Sequence, residues 1–355
     1  MAQKAQRMNS KTTLAQWADY WLRVYVKPNT KPGGYENYHD NMVKHILPRL
    51  GPLRLDQLTT AVLQDFLNRE AEHGNLRDNG PLSSKSLRNM RVVLDVCCKR
   101  AVAEGCMDAN PVPGTVIPHC RAKRVEIMTN DDQAQLELYL RDYGALSSLD
   151  AGISLGLHTG LRLGEVCALK WKHFNRREGS LHVEDTIRRI SNYDPDAPYG
   201  SRTALVTTPV KSDASDRKLW LPDFLLDLLE ARREQFVKTF CREPLEEDYI
   251  VFSDRGGVTD PDNLSHYFSD LLKVLRLPHV KYHALRHTFA TIALQNGVDI
   301  KTVSSMLGHY SAGFTLDTYA HVTTAAQVEA ANTMGSILQN AAEVIEQPAQ
   351  VYAFG

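Results

Sequence analysis

Between Asn110 and Met128 the chain carries Pro111, Pro113 and Pro118 and loses all hydrophobic periodicity, and this break constrains the fold more than any other feature. Proline removes a backbone donor, cannot continue a helix and biases the residue before it toward extended backbone. Regular structure therefore stops here, and the stretches on either side must bury their apolar faces separately. A chain of 355 residues is long enough to build two cores. We read 13–110 and 129–323 as two domains, with 111–128 as the linker, 1–12 as a short basic lead segment, and 324–355 as a C-terminal helix and tail.

The two sides have different patterns. From Leu14 to about Gly105 the apolar residues recur at helical spacing, as in Leu14, Trp17 and Trp21, then Val62, Phe66 and Leu67. The last helix of this all-helical part runs from about Ser84 to Glu104, with Leu87, Met90, Leu94, Cys97 and Ala101 on one face. Lys85, Arg88, Arg91, Lys99 and Arg100 lie elsewhere on it. Beyond the prolines, a helix opens at Thr129, with Asp131 and Asp132 in its first turn. Ser180–Arg189, Thr203–Thr207 and Lys218–Leu221 then read as strands, interrupted by the turn-forming Asn192–Gly200. The expected class is mainly α with a small antiparallel sheet.

The net charge of −1 gives no general argument for a nucleic-acid partner, so any such argument has to be local. From Leu82 to Arg124 there are eight Lys or Arg against three Asp or Glu. Lys85, Arg88, Arg91, Lys99, Arg121, Lys123 and Arg124 are thus candidate phosphate contacts, although a solvated helix face would carry the same charges. No apolar run approaches the roughly 20 residues that span a bilayer, and a cytoplasmic protein without membrane association is expected. Six cysteines lack CxxC spacing and mostly sit in apolar helical patterns, as reduced structural thiols do.

Three strings in the second domain carry chemistry. In HTGLRLGEVCALKW, His158 to Trp171, Arg162 lies between Gly160 and Gly164 near a helix start, where a guanidinium can hold two phosphate oxygens and Glu165 can steady its neighbours. The helix HALRHTFATIALQNG, His283 to Gly297, has Leu285, Phe289 and Ile292 as its packing face. His283 and Arg286, three apart, share the other face, and His287 reads as structural. Next, in DIKTVSSMLGHYSAGFTLDTYAHV, Gly308 ends a helix with His309 at its tip, and Tyr319 follows ten residues later.

In this order and context, Arg162, His283 with Arg286, His309 and Tyr319 resemble the active-site set of the tyrosine recombinases, the family of phage and conjugative-element integrases. The resemblance spans the second domain. TPVKSDASDRKLWLP is similar to the family's β-turn lysine segment and puts Lys211 in the lysine position. The helical first domain resembles the family's core-binding domain, and the family's additional arm-site-binding domain is expected to be absent or trimmed here. The resemblance implies metal-free and cofactor-free chemistry. Tyr319 attacks a scissile phosphodiester to give a 3′-phosphotyrosyl link, Arg162 and Arg286 clamp the non-bridging oxygens, and His309 adds a hydrogen bond. Lys211 is the implied general acid, His283 the implied general base, and Glu165 a supporting residue. Partners implied are double-stranded attachment-site DNA, three further copies of the chain in a tetramer, and an accessory directionality factor. Two other readings remain open at this point: relaxation of DNA by a type IB topoisomerase-like enzyme, and a catalytically silent DNA-binding regulator. A further expectation is that Asn192–Gly200 reaches toward DNA or a partner.

Overall fold

The computed structural model describes residues 8–120, 128–193, 203–210, 214–313, 315–316, 319 and 333–336. The chain forms two compact units, one of residues 1–124 with 190–202, the other of residues 125–189 with 203–355.

The first unit is helical. It contains α1 (Leu14–Trp21), α2 (Pro32–Asp40), α3 (Leu47–Leu50), α4 (Thr60–His73) and α5 (Ser84–Ala103), with π-helical turns at Leu22–Val26 and Asn41–Ile46. Capping sets the boundaries. Thr13 and Gln16 exchange side-chain bonds with each other's backbone N–H at the start of α1, and the Thr59 and Ser83 hydroxyls accept from Val62 and Ser86 at the starts of α4 and α5, each cap contributing about 1 kcal/mol. Trp17, Trp21, Met42, Ile46, Leu63, Phe66, Leu67, Met90, Leu94 and Cys97 form one buried cluster, and the Trp17 indole donates to the Cys97 carbonyl.

Part of the stretch expected to be linker belongs to this unit. Val112 and Thr115 are buried; the Arg91 guanidinium donates to Thr115 Oγ1 and to the carbonyls of Val112 and Pro113. Gln64 pairs with both backbone groups of Val116. Polar side chains reaching backbone groups therefore fasten residues 111–120, a device that leaves no hydrophobic period. Ile190–Tyr193 also group with this unit: Ser191 donates to Glu36, and Tyr193 donates to Asp40 and packs its ring, tilted, against that of His39. The described start of the Asn192–Gly200 segment is thus secured within the same chain; 194–200 lie outside the described residues.

The second unit contains α6 (Asn130–Tyr143), α7 (Ser148–Thr159), α8 (Leu163–Ala168), β1 (Phe174–Asn175), β2 (Ser180–Val183), β3 (Asp185–Ser191, its last two residues counted with the first unit), β4 (Thr203–Pro209), β5 (Arg217–Trp220), α9 (Asp223–Phe240), α10 (Pro261–Val274), α11 (His283–Gln295) and α12 (Ile300–Leu307). Strands β1, β2 and β5 form an antiparallel sheet in which Leu181 opposes Leu219 and Val183 opposes Arg217; β3 and β4 form a second, two-stranded sheet. Buried on nearly every side, α7 is the centre of the core. Its glycines admit close neighbours, and the Tyr282 hydroxyl donates to the Gly152 carbonyl at 2.6 Å.

The face of α11 differs from the expected one. Ile292 is exposed and Phe289 only partly buried, while Ala284, Leu285, Arg286, Thr288, Ala290, Thr291 and Leu294 face inward. The helix is turned so that Arg286 enters the interior, where backbone carbonyls receive its guanidinium. Among the described residues, no helix is long and apolar enough to cross a membrane.

Candidate active site

Of the residues singled out in the sequence, Arg162, Glu165, Arg286 and His309 gather around the end of α12. Gly308 ends that helix in the left-handed region, with φ 64°, and the three preceding and terminal carbonyls each meet a different arginine. Arg217 Nε donates to the Met306 carbonyl at 2.6 Å, Arg286 Nη2 to that of Leu307 at 2.7 Å, and Arg162 Nη2 to that of Gly308 at 3.1 Å. Carbonyls at a helix C-terminus have no partner within the helix and form the negative end of its dipole. Here they orient three cations without neutralising them.

Two further contacts fix this arrangement. Arg286 Nη1 donates to the carbonyl of Gly160 at 2.8 Å. Gly160 itself has φ 66°, and a Cβ there would lie 2.7 Å from Leu307 and Phe289 side-chain atoms. Glu165, 2% exposed, bridges two guanidiniums: Oε1 lies 2.5 Å from Arg162 Nη1, and Oε2 lies 2.9 Å from Arg217 Nη2 and accepts from the Arg162 backbone N–H. Burial alone would raise the pKa of this carboxyl, but Arg217 and then Arg162 outweigh it and hold the group below its ordinary value. The support of Arg162 is therefore this carboxylate and the Gly308 carbonyl; α8 has only six residues.

Among these described groups three guanidiniums meet one carboxylate, a surplus of positive charge in a largely buried place. Desolvation, followed by the repulsion of Arg162, pushes the Arg286 pKa down to about 9, so that it stays charged at neutral pH. The site is short of anionic charge, and a phosphodiester supplies that type of charge.

Three histidines and the tyrosine complete it. His309 Nδ1 pairs with Thr315 Oγ1 at 2.6 Å; burial, then Arg286, Arg162 and Arg217, push its pKa to about 4. His283 is exposed, and its ring meets that of His287 edge to face at 4.8 Å. Desolvation, then His287 and the arginines, bring its pKa to about 4. Tyr319 is 2% exposed and packs with Ala290, Leu294, Val303 and Leu307. Its hydroxyl lies 2.7 Å from His287 Nδ1. Burial pushes its pKa up to about 12 against the opposing pull of Arg286.

Two residues at this site were not assigned there from the sequence. His287 sits four residues after His283, one helical turn on, and that spacing already puts it on the same face. Arg217 lies within the lysine segment; β5 alternates buried and exposed residues from it onward, and period-two reading turns it inward with Leu219.

Lys211, which follows β4 in the chain, lies outside the described residues; so do Arg121, Lys123 and Arg124, which precede α6. On α5, Lys85 and Arg88 are exposed. Lys99 is exposed and paired with Asp95 at 2.6 Å, and Arg91 is engaged with the 112–115 turn. His173, Glu184 and Asp185 bring possible metal ligands together, but Glu184 is already bound to His173 and has the Lys172 ammonium 3.6 Å away, and a cation beside the carboxylate opposes metal binding.

Comparison with known proteins agrees with this geometry. The model of the phage integrase family matches residues 121–326, more than half of the chain, and that of a phage integrase N-terminal SAM-like domain matches residues 13–70. A tyrosine recombinase XerC-like protein of Caldanaerobacter subterraneus subsp. tengcongensis is 26% identical over 92% of this chain and 83% of its own. The ICEBs1 integrase of Bacillus subtilis is 25% identical over 87% of this chain and 79% of its own. Among solved structures, the Tn1549 transposon integrase in complex with transposon right end DNA superposes with a TM-score of 0.69 at 20% identity, covering 89% of this chain and 98% of that one. Lambda integrase, seen as a tetramer bound to a Holliday junction, gives 0.59 at 21% identity, covering 86% of this chain and 76% of that one. With its helical N-terminal unit and its arginine, histidine and tyrosine cluster, the chain belongs to the phage integrase family and is a tyrosine-type site-specific DNA recombinase.

Proposed function

We propose that this recombinase integrates or excises a mobile element in the cytoplasm by cutting and rejoining DNA through a 3′-phosphotyrosyl intermediate, with Tyr319 as nucleophile. The observation that carries this reading is a buried tyrosine hydroxyl bonded to an imidazole beside arginines that outnumber their carboxylate. Arg162 and Arg286 hold the non-bridging oxygens of the scissile phosphate, stabilising the charge that builds as phosphorus becomes five-coordinate. His309, neutral and with Nδ1 occupied by Thr315, offers a further hydrogen bond. Glu165 keeps Arg162 oriented. Lys211 protonates the departing 5′-oxygen. One phosphodiester is exchanged for another ester, so the energy of the broken bond is retained for rejoining, and the chain's own side chains suffice for each proton transfer. Four protomers act on two attachment sites, with an accessory factor setting direction, in keeping with lambda integrase, seen as a tetramer bound to a Holliday junction. On the first unit, Lys85 and Arg88 contact phosphates, and 324–355 pack on a neighbouring protomer.

The test is covalent trapping. The full chain is incubated with nicked suicide DNA carrying its attachment site, in a chelator. A denaturation-resistant adduct that disappears in Tyr319→Phe, with DNA binding retained, is the expected result. Absence of an adduct on DNA that the protein binds would point to a silent regulator, and supercoil relaxation without recombinant products would point to topoisomerase activity.

A further inference from the structure

The hydroxyl of Tyr319 does not meet the histidine that the family resemblance assigned as base. The His283 ring meets that of His287, and it is His287 Nδ1 that lies 2.7 Å from Oη. We propose that His287 is a catalytic residue: the proton acceptor for Tyr319 in cleavage and the donor that returns the proton in rejoining. This rests on Tyr319 being the nucleophile.

Three observations support the assignment. The first is distance: a general base must lie within about 2.6–3.2 Å of the atom it deprotonates, and His287 does. The second is protonation state. Burial, and after it Arg286, lowers the His287 pKa below its ordinary value, so the ring is neutral, while the phenol keeps its proton. A neutral imidazole has one nitrogen lone pair. With the phenol donating, that lone pair is on Nδ1, and the ring hydrogen is on Nε2. The third is pre-organisation. α11 carries Arg286 and His287 consecutively, and Arg286 is fixed by the carbonyls of Gly160 and Leu307, so the base and a phosphate-binding cation are placed by one rigid helix turn. Tyr319 packs on the same helix through Ala290 and Leu294.

The step balances as follows. As Oη forms its bond to phosphorus, the O–H bond breaks and the proton passes to Nδ1, leaving an imidazolium. The bond from phosphorus to the 5′-oxygen breaks, and that oxygen takes a proton from the general acid, assigned above to Lys211. In rejoining, the 5′-hydroxyl gives its proton back to the now neutral general acid as its oxygen attacks phosphorus, the Oη–phosphorus bond breaks, and the proton on Nδ1 returns to the phenolate.

The experiment measures single-turnover cleavage by the full chain on two suicide substrates, one with the natural 5′-oxygen leaving group and one with bridging sulfur, which departs as a thiolate and needs no acid. His287→Asn keeps a hydrogen-bonding amide near the Nδ1 position but cannot carry the proton. It is expected to bind DNA as wild type does and to cleave both substrates at least about 100-fold more slowly. Lys211→Ala is expected to fail on oxygen and recover on sulfur. If His287→Asn folds poorly by its melting temperature, His287→Gln is read in the same way. Cleavage by the folded variant within threefold of wild type, or its recovery on sulfur, would overturn the proposal. Failure of the underlying reading looks different: wild type gives no adduct on either substrate, or its adduct survives Tyr319→Phe.

Discussion

On α5, Lys85 and Arg88 stand in solvent and Lys99 pairs with a carboxylate one turn away, while around α12 Arg217 and Arg286 are buried, Arg217 sharing one carboxylate with Arg162 and Arg286 held by backbone carbonyls. The residue types are alike, but their energetics differ. An exposed cation on a helix is screened, and each local ion pair contributes about 0–1 kcal/mol. A buried cation has lost its water and depends on fixed dipoles, so removing one partner leaves an uncompensated charge. The first arrangement tolerates substitution and suits contacts that do not read sequence. The second is a pre-organised receptor for an anion.

The largest effect that would break this contrast is expected from Glu165→Gln. Without the bridging carboxylate the guanidiniums repel one another, and destabilisation of about 3–5 kcal/mol is expected, measured by denaturant unfolding, together with a loss of adduct formation. A change below about 1 kcal/mol would mean that the carbonyls of α12 hold the arginines unaided.

Acid provides a second, smaller test. His283 and His309 have folded pKa values near 4, below the ordinary 6.5. Between those values the unfolded chain binds more protons than the folded one, so stability falls as pH drops from about 6.5 toward 4. Glu165, lowered from its ordinary value of 4.5, acts in the same direction further down: its contribution is present above that value and is lost as pH falls through the depressed one. The melting temperature should therefore decline steadily from pH 7 to pH 4.5, and a His283→Gln, His309→Gln double variant should flatten the slope. An unchanged slope would show that the histidines are open to water in solution.

The smallest effects separate the cations of α5 from one another. Arg91→Ala should cost about 1–2 kcal/mol through its lost bonds to the 112–115 turn, with little specific change in DNA affinity. Lys85→Ala and Arg88→Ala should leave stability within about 0.5 kcal/mol, weaken DNA binding, and reduce its salt dependence by about one unit of slope each. The reverse pattern, with Arg91 setting affinity, would dissolve the distinction between stapling and phosphate-contacting residues.

Local chemistry explains what was legible in advance. Helix α5 was found within a residue because its apolar stripe is regular; α6 because Thr129 is an N-cap; α12 because Gly308 is needed for a left-handed turn. Arg162, His283, Arg286, His309 and Tyr319 were singled out because a family resemblance preserves their order. What escaped depends on partners distant in the chain. Arg286 is buried because carbonyls 126 and 21 residues away accept its protons, and hydrophobic periodicity has no way to register that. For the same reason the packing face of α11 was misplaced toward Ile292. Residues 111–120 were read as linker because Arg91 and Gln64 anchor them through backbone groups. His287 was within reach of the i, i+4 rule, but nothing local indicated that Tyr319 would lie against it.

The three carbonyls of Met306, Leu307 and Gly308 resemble a kinematic mount, in which three points of contact locate a body fully. Every acceptor in that mount is main chain, so the side chains at 306 and 307 have no part in it. Mutation can alter those two positions, within the limits of packing, without moving the arginines, whereas a change at Gly308 acts on the backbone itself. The position of these three cations is thus written in the path of the chain, where drift in sequence can leave it untouched.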